Sequence, residues 1–221
     1  MQGLDPVTVI FALLAIFVVW KLKSVLGQRV EIDRAPPRAA ARAGSGPLPG
    51  AAPLRPAVAP KPEDFARFAD ADQVRQGLAD IAAADRSFDA AKFVAGAGSA
   101  YEMIVTAFAK GDRKTLTNLL SPEVFDSFAH VLDARAKAGE TAETRFVGLD
   151  STRIVEASLK DGVAHIGVRI AAKMIACVRD ASGAVISGDP QKVVDADDVW
   201  AFARPIASPD PNWKLVATQA A

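Results

Sequence analysis

The side chains of this chain that could do chemistry are few and scattered. Tyr101 is the one tyrosine; as a phenol it could serve as a general acid, but it lies on an apolar stripe at helical spacing. That placement predicts a core residue with a satisfied hydroxyl. His130 and His165 have no Cys or His partner at metal-ligand spacing, so surface or edge positions are expected for both. Asp195, Asp197 and Asp198 form an acidic cluster. A calcium loop would need fixed ligand spacing and a glycine at its turn, and that glycine is missing. The cluster therefore predicts a solvated strand face, with Arg204 as a partner for one of its acids. Cys177 is the single cysteine and cannot form an internal disulfide. There is no phosphate-binding glycine loop, nucleophile elbow or metal motif. The expectation is a protein without catalytic residues, metal or cofactor. Six aromatic residues, Phe93, Tyr101, Phe128, Trp200, Phe202 and Trp213, are instead candidates to line a pocket that takes a partner's peptide or an acyl chain. The competing reading of each is plain core packing.

Helices come first among the elements that must position these rings. Glu63-Asp64 predicts a helix start, because acids favour the N-terminal end of the helix dipole. Phe65, Phe68, Val74, Leu78 and Ile81 continue it at helical spacings, with Gly77 as a weak point. This segment is expected to be an amphipathic helix partly detached from the rest. A second helix runs from about Asp89 to Ala109, with Phe93, Ala97, Tyr101, Ile104, Val105 and Phe108 on one stripe. Gly111 stops it and Asp112 caps a short helix carrying Leu116, Leu119 and Leu120. Ser121-Pro122-Glu123 is a further start signal. The helix it opens buries Phe128 and Leu132 and ends near Gly139.

After Gly139 the hydrophobic period falls from 3.6 to 2. Residues 163–179 form the clearest strand, with the even positions from Ala164 to Val178 all apolar. Gly167 is expected to mark a bulge, and Asp180-Ala181-Ser182-Gly183 a turn. Strands are also expected at about 144–156, 193–203 and 213–218. Helices followed by an antiparallel meander define an α+β fold. A long bent sheet wrapped over helices would form a cone with an apolar cavity or groove. The apolar inner face of the long strand offers no titratable base, which argues against an enzyme.

The N-terminal region has a different character. Val7 to Trp20 are apolar or nearly so, and Lys21 and Lys23 follow. A signal peptide would carry its positive charge before the apolar core and a small-residue cleavage site after it. The reversed order predicts an uncleaved single-pass anchor over residues 1–24 with the C-terminal domain in the cytoplasm. Trp20, Lys21 and Lys23 would flank it at the membrane interface. Residues 25–62 read as a basic, Pro/Ala-rich linker; its stretch 34–62 alone holds eight of the fourteen prolines and no acid. Such a tether can lie against anionic lipid headgroups. Residues 63–221 are left for the folded domain. The net charge of zero divides into +5 over residues 1–62 and −5 over the remainder. An acidic folded part speaks against nucleic acid as a partner.

The ordered C-terminal motifs carry a resemblance. Phe88-Asp89, Phe93, Tyr101 and Ile104 lead into Ala107-Phe108-Ala109-Lys110-Gly111-Asp112-Arg113. Leu116, Leu119, Leu120, Val124, Phe125, Phe128, Arg135 and Gly139 follow. Trp200-Ala201-Phe202-Ala203-Arg204 and Pro211-Asn212-Trp213-Lys214-Leu215 complete the set. Together they resemble bacterial relatives of the mitochondrial inner-membrane translocase subunit forty-four, over about residues 85–219. The resemblance implies a nuclear-transport-factor-two-like cone fold and a scaffold or adaptor role at the bacterial inner membrane. The mitochondrial member's long chaperone-binding region is missing here, so its import role does not carry over. What the resemblance implies is membrane attachment and the binding of an unidentified protein partner. Binding of a lipid or hydrophobic ligand at the membrane surface is the alternative.

Overall fold

The computed structural model describes residues 60–221. The expected anchor with Trp20, Lys21 and Lys23, and nearly all of the expected linker, lie outside the described residues. Among the described residues no helix is long and apolar enough to cross a membrane.

Four α-helices precede five strands: α1 Asp72–Ala84, α2 Ala90–Lys110, α3 Arg113–Leu119, α4 Pro122–Ala138, then β1 Thr141–Lys160, β2 Val163–Arg179, β3 Val185–Gly188, β4 Val194–Pro205 and β5 Lys214–Ala220. This is the expected α+β order. Asp112, Ser121, Gly111 and Gly139 close the helices as expected, and Asp89, expected only as the start of α2, caps it as well. The Asp89 carboxylate accepts from the backbone N–H groups of Ala91 and Lys92, and the Asp112 carboxylate from that of Thr115. Ser121 Oγ accepts from Val124 N–H, and Gly111 and Gly139 end α2 and α4 at φ 69° and 67°. Positive φ is the conformation that glycine adopts without a Cβ clash.

The first expected helix is corrected in two respects. It is broken: a 3-10 turn, Pro62–Phe65, precedes α1. The Phe68 carbonyl accepts from Ile154 N–H of β1 at 3.2 Å, so the backbone between the two turns away to meet the sheet. Nor is α1 detached, because Leu78 and Ile81 are fully buried. Gly77 permits this close docking: a Cβ there would stand 2.0 Å from the Ala157 carbonyl oxygen of β1.

The sheet is antiparallel in the order β1-β2-β4-β5, with β3 paired to the end of β2 that runs past β4. Asp161-Gly162, both at positive φ, make the tight turn between β1 and β2. β1 has 20 residues against 17 in β2. The register absorbs the excess at three places, leaving Val147, Asp150 and Val155 unmatched. Each extra residue bends the strand and increases its twist, and so curves the sheet around the helices. The bulge expected at Gly167 lies across the ladder from it: the extra residue is Val155, and Gly167 pairs with Glu156. β3 had no counterpart in the sequence reading; four residues show too little alternation to register.

The inner face of β2 forms the floor of the core. Ala164, Ile166, Val168, Ile170, Ala172 and Met174 are each 2% exposed or less. α2 lies over this floor with Phe93, Ala97, Tyr101, Ile104 and Val105 turned inward.

Candidate functional site

At one end of the core the aromatic residues pack on one another. The Phe93 ring meets the rings of Trp213, Phe202 and Phe88 at centroid distances of 4.8, 6.0 and 6.2 Å. Arg204 closes this end. Its guanidinium lies 5.2 Å from the Trp213 ring and pairs with Asp85, in the loop between α1 and α2. Both side chains are largely buried, at 8% and 12% exposed. Burial raises the Asp85 carboxyl pKa, but hydrogen bonds from Ser87 and the Arg204 charge outweigh it and hold the group below its ordinary value. Arg204 therefore does not pair within the Asp195–Asp198 cluster as expected. The β1–β2–β4 register explains why: Asp195 and Asp197 point to the outer face, where they pair with Lys173 and Arg169.

Asp198 corrects the reading of that cluster as a uniformly solvated face. It is 5% exposed and accepts the Tyr101 hydroxyl proton at 2.7 Å. Strand alternation accounts for it. Asp198, Trp200, Phe202 and Arg204 are successive even positions of β4 and all turn inward. Burial lifts the Asp198 carboxyl pKa, the hydrogen bond from Tyr101 opposes the rise, and neighbouring Asp197 adds to it. The Tyr101 phenol is pushed far above its usual range, first by burial and then by the adjacent carboxylate. Tyr101 is fully buried, a core residue with a bonded hydroxyl.

Beyond this pair the packing opens into a groove between α2, α4 and the sheet. Its walls come from Ile104, Val105 and Phe108 of α2, Phe128 of α4, and Met174 and Trp200 of the sheet. Its cavity volume is about 70 Å³. Of the polar lining groups, Asp198 and Arg135 are ionisable in opposite senses. Arg135 is 9% exposed. It donates to the Phe108 carbonyl at 2.8 Å and its guanidinium sits 4.5 Å from the Phe108 ring centre. Burial lowers its pKa, and the field of Glu140 offsets this in part. Among the described residues Arg135 forms no ion pair.

The six candidate aromatics thus divide between two places. Phe128 and Trp200 line the groove. Phe93, Phe202 and Trp213 belong to the packed cluster, and Tyr101 stands between the two, 4.5 Å from the Trp200 ring. Two groove residues, Asp198 and Arg135, went unrecognised as site residues. Both carried a periodicity signal: Asp198 is two positions before Trp200 on a strand, and Arg135 is seven after Phe128 on a helix. His130 is exposed and His165 half-buried, and neither lines the groove. No cluster of three metal-ligating side chains occurs among the described residues.

Helices laid on a bent antiparallel sheet, with an apolar groove where the packing opens, make this an α+β domain. The chain belongs to the Tim44-like domain family, which matches residues 74–220, 147 of its 221 residues. Among solved structures, the intermembrane space region of chloroplast protein ARC6 is similar. It shows a TM-score of 0.40 and 12% sequence identity, over 58% of this chain and 97% of that one. No curated protein matches the chain.

Proposed function

We propose that this protein is an adaptor, held to the inner membrane by its N-terminal segment, that presents its folded domain to a protein partner at the cytoplasmic face. Family membership supports the coarser part of this reading, a membrane-associated role in protein interaction or transport. The observation that carries the finer part is the groove, an apolar recess bearing a largely buried cation, Arg135, that forms no contact ion pair among the described residues and feels Glu140 only through its field. A partner's carboxylate in contact with the guanidinium would add the pairing that Glu140 does not make. Anchoring the domain would raise its effective concentration near membrane partners without new contacts.

Catalysis forms no part of the proposal. The Tyr101 phenol is buried and held protonated, and its hydroxyl is engaged with Asp198. The groove lining contains no histidine and no second carboxyl group to complete an acid–base pair. The size of the groove bears on the lipid alternative. A dry cavity of about 150 Å³ takes a benzene ring, and this one is about half as large. The recess itself suits a single side chain, and the adjoining depression of about 330 Å³ is more polar, carrying Lys110, Glu143 and Arg145, which disfavours a long acyl chain there.

Crosslinking in intact cells, followed by recovery of the full-length protein from solubilised membranes, tests the adaptor reading. A reproducible protein partner is the expected result. Recovery of nothing beyond the untagged control overturns it.

A further inference from the structure

We infer that the groove receives one medium-sized aliphatic side chain from an acidic segment of the partner protein, a Leu, Ile or Met beside an Asp or Glu, whose carboxylate pairs with Arg135. This deepens the adaptor reading and rests on it.

Three observations select that occupant. The first is size: the more enclosed recess of about 70 Å³ holds one aliphatic side chain, and whatever extends beyond it enters a more open and more polar depression of about 330 Å³. The second is surface: Ile104, Val105, Phe108, Phe128, Met174 and Trp200 give the recess an apolar wall, which rewards burial of an aliphatic group at about 25 cal/mol per Å². The third is charge. Arg135 lines the recess, is nine-tenths buried, and has only the Phe108 carbonyl as a hydrogen-bond acceptor among the described residues. A guanidinium has five N–H donors, and its planar fork matches a carboxylate. Asp198 also lines the groove and accepts from Tyr101; it has no attraction to offer an incoming acid, and Arg135 is the cationic group in the groove lining that can donate to a carboxylate. The more open depression shares Ala109, Ala142, Thr144 and Cys177 with the groove and adds Lys110 and Arg145. The one acid there, Glu143, is paired with Arg179. A segment leaving the groove over this depression meets further positive charge.

The test uses the full-length protein in detergent and an array of dodecapeptides. The central residue is varied through all types and the flanking positions are set to Glu or Lys. Peptides with central Leu, Ile or Met and flanking Glu are expected to bind at least tenfold more tightly than those with central Ala or flanking Lys. Ala176→Phe fills the recess from the sheet, and Ala109→Leu from α2; each should abolish the preference for the central residue. Arg135→Gln should remove the preference for Glu over Lys, and Arg135→Lys should restore most of it. An array without preference overturns the inference, as does a preference that survives both filling variants. Binding of phosphatidylglycerol vesicles that both variants abolish, with peptide binding unchanged, assigns the groove to an acyl chain and also overturns it. The crosslinking experiment separates the two levels. If Ala176→Phe retains the wild-type partner, the adaptor reading stands and the groove assignment fails. If the wild type captures no partner, the adaptor reading itself fails.

Discussion

The two ends of the core are built on the same helix and the same strands, yet they treat buried polarity in opposite ways. At the Phe93 end a buried arginine, Arg204, has an aspartate partner from a loop and an aromatic lid in Trp213. At the Phe128 end a buried arginine, Arg135, has a backbone carbonyl and a ring, and an acid, Glu140, that acts only through its field without a contact pair. The acids differ likewise. Asp85 is held below its ordinary pKa by donors and a cation, whereas Asp198 is lifted above it by burial. At the Phe93 end the charge is answered by a contact ion pair, although Arg204 Nε stays buried without an acceptor. At the Phe128 end Glu140 acts on Arg135 only through its field, with no contact pair among the described residues, which leaves the guanidinium able to take a carboxylate from outside.

That contrast can be broken by substitution. Phe93→Ala removes a ring from the packed end and should cost about 4 kcal/mol, in line with buried Phe truncations. Urea unfolding of the full-length protein in detergent measures it, and a cost under about 1 kcal/mol would mean that this end is not tightly packed. Arg204→Met leaves Asp85 without its cation and should cost about 2 kcal/mol, part of the loss being spared because Ser87 still donates to Asp85. Tyr101→Phe removes a hydroxyl from a buried carboxyl and should cost about 1–2 kcal/mol by the same assay.

The pH dependence of stability sharpens the comparison further. The Asp85 pKa lies below its unfolded value, so its contribution is present above about pH 4 and is lost as pH falls through the folded value. The Asp198 pKa lies above its unfolded value, so its contribution is present below about pH 4 and is lost as pH rises through the folded value. Asp85→Asn should therefore weaken the fall in stability on acidification. Asp198→Asn should weaken the fall above pH 4 and leave the protein more stable at pH 7 than the wild type. Midpoints of unfolding from pH 3 to 8 decide this, and the same sign of change for both variants would remove the proposed difference between the ends. The smallest effect is expected for Ala109→Leu, which adds to the recess an aliphatic group of the size it holds and should shift stability by less than about 1 kcal/mol, against the roughly 1–3 kcal/mol of overpacking a filled core.

Most of the framework was legible in the sequence because its signals are local. Asp89, Asp112, Ser121, Gly111 and Gly139 set the helix ends through caps that span a few residues. The alternation from Ala164 to Val178 marked β2 and its buried face. Less legible were features that depend on a neighbour distant in sequence. The break before α1 follows from a hydrogen bond to Ile154. The docking of α1 follows from the close approach of Gly77 to Ala157. The bulges lie on β1 because its excess over β2 is defined only once the two strands pair.

The sequence by itself determined the α+β order, the caps, the inner faces and the family, because capping and hydrophobic periodicity act within a turn or a strand. It also held, unread, the inward placement of Asp198 and Arg135, since both follow from the period of their own elements. The tertiary structure alone decided which acid met which base. Arg204 found Asp85, 119 residues away, and Asp198 found Tyr101, 97 residues away, whereas Arg135 made no contact ion pair among the described residues and feels Glu140 only through its field. Ion pairing depends on distances of a few ångströms between elements, and only the packed fold sets these.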